Sequence, residues 1–153
     1  YVPRERPDPK AMRFGGEIKT VSSFRSNLEG ILTLARKRGE PVALLTFCYH
    51  LPQDYTLERF QAGTLDYCLH HCPVEIWGMP EHIRKGLDAH NRVIRDARDR
   101  FGGDVIFVDQ ALHMPRDKEH FNDICHLTHD GCAAFTENIV RAWKAFTREK
   151  EKG

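Results

Sequence analysis

The stretch "PVALLTFC", residues 41–48, is a short and nearly unbroken apolar run, and its reading decides the fold. It is too short for a buried helix, and Val, Leu, Thr and Phe suit a pleated backbone, so it predicts a strand. It lacks the apolar–polar alternation of a strand with one wet face. Continuous apolarity of this kind fits a parallel sheet covered on both sides. A second run of the same type, "DVIFVD", lies at 104–109.

Helical patterns flank both runs. Phe24, Leu28, Ile31, Leu32 and Ala35 recur at helical spacing, with Ser22 or Ser23 as the expected N-cap and Gly39 as the stop. A second helix is expected from about Glu81, through Ile83, Leu87, His90, Val93, Ile94 and Ala97, to Gly102–Gly103. A third runs from Thr128, its cap, to Lys150, with Phe135, Ile139, Val140, Trp143 and Phe146 as its inner face. Residues 110–127 read as a loop. Residues 49–80, crowded with Tyr, His, Pro and Cys, are too long for a tight connection and read as an insertion or lid-like excursion. Leu57, Phe60, Leu65 and Leu69 predict a helix inside it. Residues 1–20 read as a loop or arm, with three Pro and two Gly among charges in the first seventeen.

The order is helix, strand, excursion, helix, strand, loop, helix. A strand–helix–strand unit implies parallel pairing with a right-handed crossover. Two parallel strands make a poor sheet alone, and strands this apolar expect neighbours on their edges and helices on both faces. The expected fold class is therefore α/β: a three-layer α/β/α, flavodoxin-like parallel sheet. This chain would supply its last two strands and flanking helices, with 21–150 the C-terminal part of one domain.

Bulk composition narrows the function classes. The 153 residues are 41% hydrophobic and 29% charged, with a formal net charge of +1. That balance points neither to nucleic acid nor to a lipid surface. Basic clusters such as "RKR" (36–38) and "REKEK" (148–152) read as solvated helix faces. No apolar run is long enough to span a membrane. Five irregularly spaced Cys do not form a disulfide framework. The chain begins at Tyr1 with neither a signal peptide nor an initiator Met, so the compartment stays open.

The chemistry concentrates in "FNDICHLTHDGC" (121–132). A hydroxyl nucleophile needs a general base, and neutral imidazole suits that role near pH 7. The imidazole must hold one tautomer and be stabilised once protonated, which a carboxylate on its other nitrogen provides. Asp123 and His126, three apart, can reach each other, so His126 is the candidate general base and acid and Asp123 its orienting partner. On spacing alone, capping by Asp123 or Thr128 with His126 as a surface residue explains the same letters.

Asp123-Ile-Cys-His126-Leu-Thr-x-x-Gly131, after a strand ending in Asp109 and before a long helix, resembles the last motif of the SGNH/GDSL hydrolase family. "FRSNLEGILTLARKRGEPVALLT" is similar to that family's penultimate helix–strand unit. "EIWGMPEHIRKGLDAHNRVIRDARDRFGGDVIFVD" is similar to the helix and strand that follow. The resemblance spans about 21–150. It implies a serine esterase of a family that acts on acetylated sugars, lipids, thioesters and small esters, without metal or organic cofactor. It also implies a Gly-Asp-Ser nucleophile and a Gly-x-Asn-Asp oxyanion hole. Neither is here: Ser22, Ser23 and Ser26 lack that context, as do Asn27, Asn91, Asn122 and Asn138. The resemblance therefore places them in an upstream segment or a companion chain. The 49–80 excursion is the expected shaper of specificity.

Competing constellations exist. Cys68, His70, His71 and Cys72 with Cys125, His126, His129 and Cys132 invite a structural zinc, though the spacings are loose. A disulfide such as Cys68–Cys72 is open, as is Cys125 acting as a nucleophile with His129 or His71 as base. A non-catalytic binding module of the same fold is the remaining alternative.

Overall fold

The computed structural model describes residues 16–151. Of the expected arm, Gly16–Thr20 form bends and a turn, while 1–15 lie outside the described residues. The molecule is mixed α/β, mostly helical, with one two-stranded parallel sheet. Strand β1 (Val42–Leu45) pairs with β2 (Val105–Val108) in the register Val42 to Val105 and Leu45 to Val108. Helix α1 (Val21–Arg38) precedes β1, and α3 (Pro80–Phe101) precedes β2. Between them, the excursion holds only the short α2 (Leu57–Gln61) and a single 3₁₀ turn at Val74–Ile76. Leu65 and Leu69, expected on that helix, fall beyond it. Gly63, with φ 66°, and the turns around it break the chain first.

Period-two alternation divides the sheet. Leu44 and Val105 share one buried cluster with Leu32 of α1 and Ile94, Ala97 and Phe101 of α3. Ala43, Leu45, Ile106 and Val108 point the opposite way, and α5 (His129–Lys150) packs along β2. Gly39 ends α1 as expected, in the left-handed region at φ 68°. The start of α1 differs from expectation. Thr20 is the N-cap residue, without a side-chain cap, and the Ser23 hydroxyl donates to the Thr20 carbonyl instead. Pro80 opens α3, where its missing N–H costs nothing.

Two polar devices fix the strand ends on which the site depends. After β1, the buried Asn91 amide accepts from the Phe47 N–H at 2.7 Å and donates to the Phe47 carbonyl at 2.8 Å. A side chain thus replaces a neighbouring strand. After β2, Asp109 holds Arg95 through two hydrogen bonds, at 2.8 and 2.9 Å, and accepts the Thr46 hydroxyl at 2.8 Å. Burial alone would raise the Asp109 pKa, but the Arg95 and Thr46 hydrogen bonds and the Arg95 charge bring it below the usual value.

Residues 110–127 are more ordered than a loop. Helix α4 (Gln110–His113) opens the segment, and the fully buried Gln110 side chain donates to the Phe135 carbonyl while accepting from Asn138. That pins α4 to α5. The expected inner face of α5 is only partly covered: Phe135, Ile139 and Phe146 are half-buried, whereas Val140 and Trp143 are 43% and 50% exposed. A sheet of two strands is too narrow to cover the helix.

Candidate active site

The end of the segment expected to be a loop is a tight hairpin. Phe121 and Leu127 form an antiparallel bridge, and the Asn122 N–H donates to the His126 carbonyl at 2.7 Å. The Asn122 side chain closes the same hairpin by donating to the Leu127 carbonyl at 2.9 Å. Asp123 through His126 form its tip. Next, the Thr128 hydroxyl accepts from the Gly131 N–H at 3.0 Å, capping α5 as expected, and donates to the Glu119 carbonyl. Gly131 is a steric necessity: a Cβ there would sit 2.1 Å from the His120 carbonyl oxygen.

The Asp123 carboxylate has no exposed surface, while the His126 side chain is 49% exposed. His126 Nδ1 lies 2.8 Å from both carboxylate oxygens. Oδ1 also accepts the N–H groups of Cys125 and His126, at 3.1 and 3.0 Å, and Oδ2 accepts that of Cys72 at 3.2 Å. An ionised carboxylate only accepts, so Nδ1 must carry the proton and Nε2 the lone pair of the neutral ring. The arrangement fixes one tautomer on a half-exposed ring, with the buried carboxylate placed where it would stabilise an imidazolium. Capping contributes as well, through the two backbone donors on Oδ1, but does not explain the imidazole contact.

Backbone groups of the excursion hold the hairpin. The Cys68 N–H donates to the Phe121 carbonyl at 2.9 Å, and the Leu69 and His70 N–H groups both reach the Asn122 carbonyl, at 3.1 and 2.8 Å. His70 adopts φ 55°, a left-handed conformation uncommon outside glycine, and this turns the two successive donors onto one oxygen. The His50 N–H reaches the Ile124 carbonyl at 2.8 Å. Beneath, Phe121 packs with Cys48, Phe60, Leu65, Tyr67 and Met114.

A second Asp-x-x-His sits one step upstream, and the sequence reading missed it. His120 Nδ1 lies 2.6 Å from Asp117 Oδ1, which also accepts the His120 N–H at 3.1 Å. Here the carboxylate is 36% exposed and the imidazole 22%. Burial pushes the Asp117 pKa up, but the His120 hydrogen bond and charge outweigh it, leaving the value below the usual range.

The rival constellations fare unequally. Cys68, His71, His129 and Cys132 are exposed and do not converge. Cys72 does join Asp123 and His126, with ligand atoms within 4.8 Å of one another. Zinc prefers four ligands in a tetrahedron. This group offers three, and its carboxylate already receives four N–H donors. The described residues form no disulfide. Cys125 Sγ lies 4.0 Å from His126 Nδ1, a nitrogen already committed to Asp123. Burial first, and then the Asp123 charge, push its thiol up to about 12, the reverse of an activated nucleophile. Ser22, Ser23 and Ser26 are exposed on α1, which packs against α3, and none hydrogen-bonds His126. Comparison with protein-family models, with curated proteins and with solved structures finds no match.

Proposed function

We propose that this chain carries the acid–base arm of a serine esterase of SGNH type, acting on carboxylic esters. The observation that carries the reading is the buried Asp123 carboxylate, which fixes the half-exposed His126 ring as the Nδ1–H tautomer. His126 Nε2 takes the proton of a serine hydroxyl as its oxygen attacks the ester carbonyl. Asp123 stabilises the imidazolium, which then protonates the departing alkoxide. Water, deprotonated by the same nitrogen, releases the acid and restores the serine. No cofactor enters these steps.

The serine and the oxyanion donors belong, in this reading, to Gly-Asp-Ser and Gly-x-Asn-Asp segments outside these 153 residues, on the same polypeptide or a companion chain. The incomplete cover on α5 supports a wider, three-layer sheet. So do the 60% and 50% exposures of Ile31 and Leu34 on α1.

The test uses this chain together with its nucleophile-bearing segment. A fluorophosphonate probe should label one serine, and 4-nitrophenyl acetate should be hydrolysed. Loss of both hydrolysis and labelling rate in His126→Ala is expected. Turnover that survives His126→Ala would sink the reading. Zinc that binds stoichiometrically and is lost in Cys72→Ser would replace it with a metal site.

A further inference from the structure

Beside the hairpin, α3 and the Gly16–Thr20 turn enclose a groove of about 1000 Å³. Its walls include Phe47, Trp77, Ile83, Leu87, Ile124 and Cys125. That volume lies at the upper end of small-molecule pockets, roughly 300–1,000 Å³. Phe47 and Trp77 remain 48% and 40% exposed in it, an unusual amount of aromatic surface to leave beside polar chemistry. Ile124 and Cys125 belong to the tip that carries His126, so the groove borders the candidate active site.

Gly86 adds an independent observation. It lies inside the 22-residue α3, where glycine is among the poorest helix formers, and it lines the groove. Beyond its own turn of helix, no atom lies within 4 Å of where its Cβ would be, so packing does not require glycine there. What a side chain would occupy is the groove itself. His90 holds the helix at this point, with Nδ1 2.9 Å from the Gly86 carbonyl and Nε2 3.0 Å from the Thr20 hydroxyl, joining the two walls.

We infer that this groove binds the apolar acyl chain of the ester, and that Gly86 keeps it open. The inference rests on the esterase reading for the ester, and on the groove alone for the chain. It assigns medium-chain acyl esters as the preferred substrate class, ahead of acetylated sugars.

Binding and hydrolysis test it separately. The chain has two Trp, so Trp143→Phe leaves Trp77 as the reporter. Titration of that protein with decanoate should give a saturable blue shift that acetate does not. Affinity should rise about threefold to fourfold per added methylene, as burial of one CH₂ provides. Gly86→Leu, whose Cβ starts in open space on a helix it should strengthen, should weaken decanoate binding by roughly tenfold or more without lowering the melting temperature. An unresponsive Trp77, or decanoate binding that ignores Gly86→Leu, overturns the inference. With the nucleophile segment present, Gly86→Leu should lower the decanoate-to-acetate ester ratio of kcat/KM. Decanoate binding without ester hydrolysis would keep the groove and remove the esterase reading. Hydrolysis indifferent to chain length would do the reverse.

Discussion

Asp117–His120 and Asp123–His126 share one spacing, one ring nitrogen and nearly one distance, yet they are different objects. In the first, the carboxylate stands a third in water and the imidazole is the more covered partner. In the second, the carboxylate is wholly buried and the imidazole half exposed. Asp117 takes the ring and the N–H of His120 within its own turn, whereas Asp123 gathers donors from the hairpin and from Cys72 of the excursion. Spacing brings the groups together. Which of them faces solvent decides whether the pair shapes a turn or offers a base.

The largest expected effect breaks the symmetry outright. In a preparation that hydrolyses esters, His126→Ala should lower kcat by about 10⁴ or more, as loss of a triad member does. His120→Ala should change it by no more than about threefold, since its imidazole orients no reacting atom. Equal losses would mean that both pairs are structural. The carboxylates should divide on stability in urea unfolding. Asp123→Ala leaves the N–H groups of Cys72, Cys125 and His126 without their acceptor, at about 2–4 kcal/mol, against under about 1 kcal/mol for Asp117→Ala.

Gly131→Ala separates the backbone of His120 from its side chain. Forcing the His120 carbonyl away from a new Cβ should cost about 2–3 kcal/mol, although His120→Ala leaves that carbonyl in place. The smallest effect concerns pH. Asp117 has a lowered folded value, so its contribution is present above the ordinary carboxylate range and is lost as pH falls through its own lower value. Asp117→Asn should flatten the acid limb of the stability curve slightly, below about pH 4, with solvent screening keeping the change under about 1 kcal/mol. A steeper limb would mean that the carboxylate is not held by His120.

Much of this was legible because it rests on local rules. Apolar runs gave both strands, Gly39 and Gly102 marked helix ends, and Thr128 declared itself a cap. Asp123 and His126 were readable as a pair because three residues on one turn bring side chains together. What stayed hidden was non-local or carried by the backbone. The Cys68, Leu69 and His70 N–H groups that clamp the hairpin leave no signature in residue type. Ser22 and Ser23 are good capping residues that the chain does not use so, because the helix begins at Val21. Asn91 looked like one polar residue on an amphipathic helix, and its role appears only where β1 ends beside it. The earlier Asp-x-x-His was as plain in the letters as the later one, but burial is not written in spacing.

The bond from the Cys72 N–H to Asp123 spans 51 residues of chain. Closing so long a loop has an entropic cost that local contacts do not carry, so such a contact belongs to the late steps of folding. Helices and caps can form before the carboxylate has its last donor. In refolding, the ability to hold a proton at His126 would then return after the bulk of the secondary structure. Native-state hydrogen exchange at Cys72 would open before the long helices do, and substitutions at the hairpin would speed unfolding more than they slow folding.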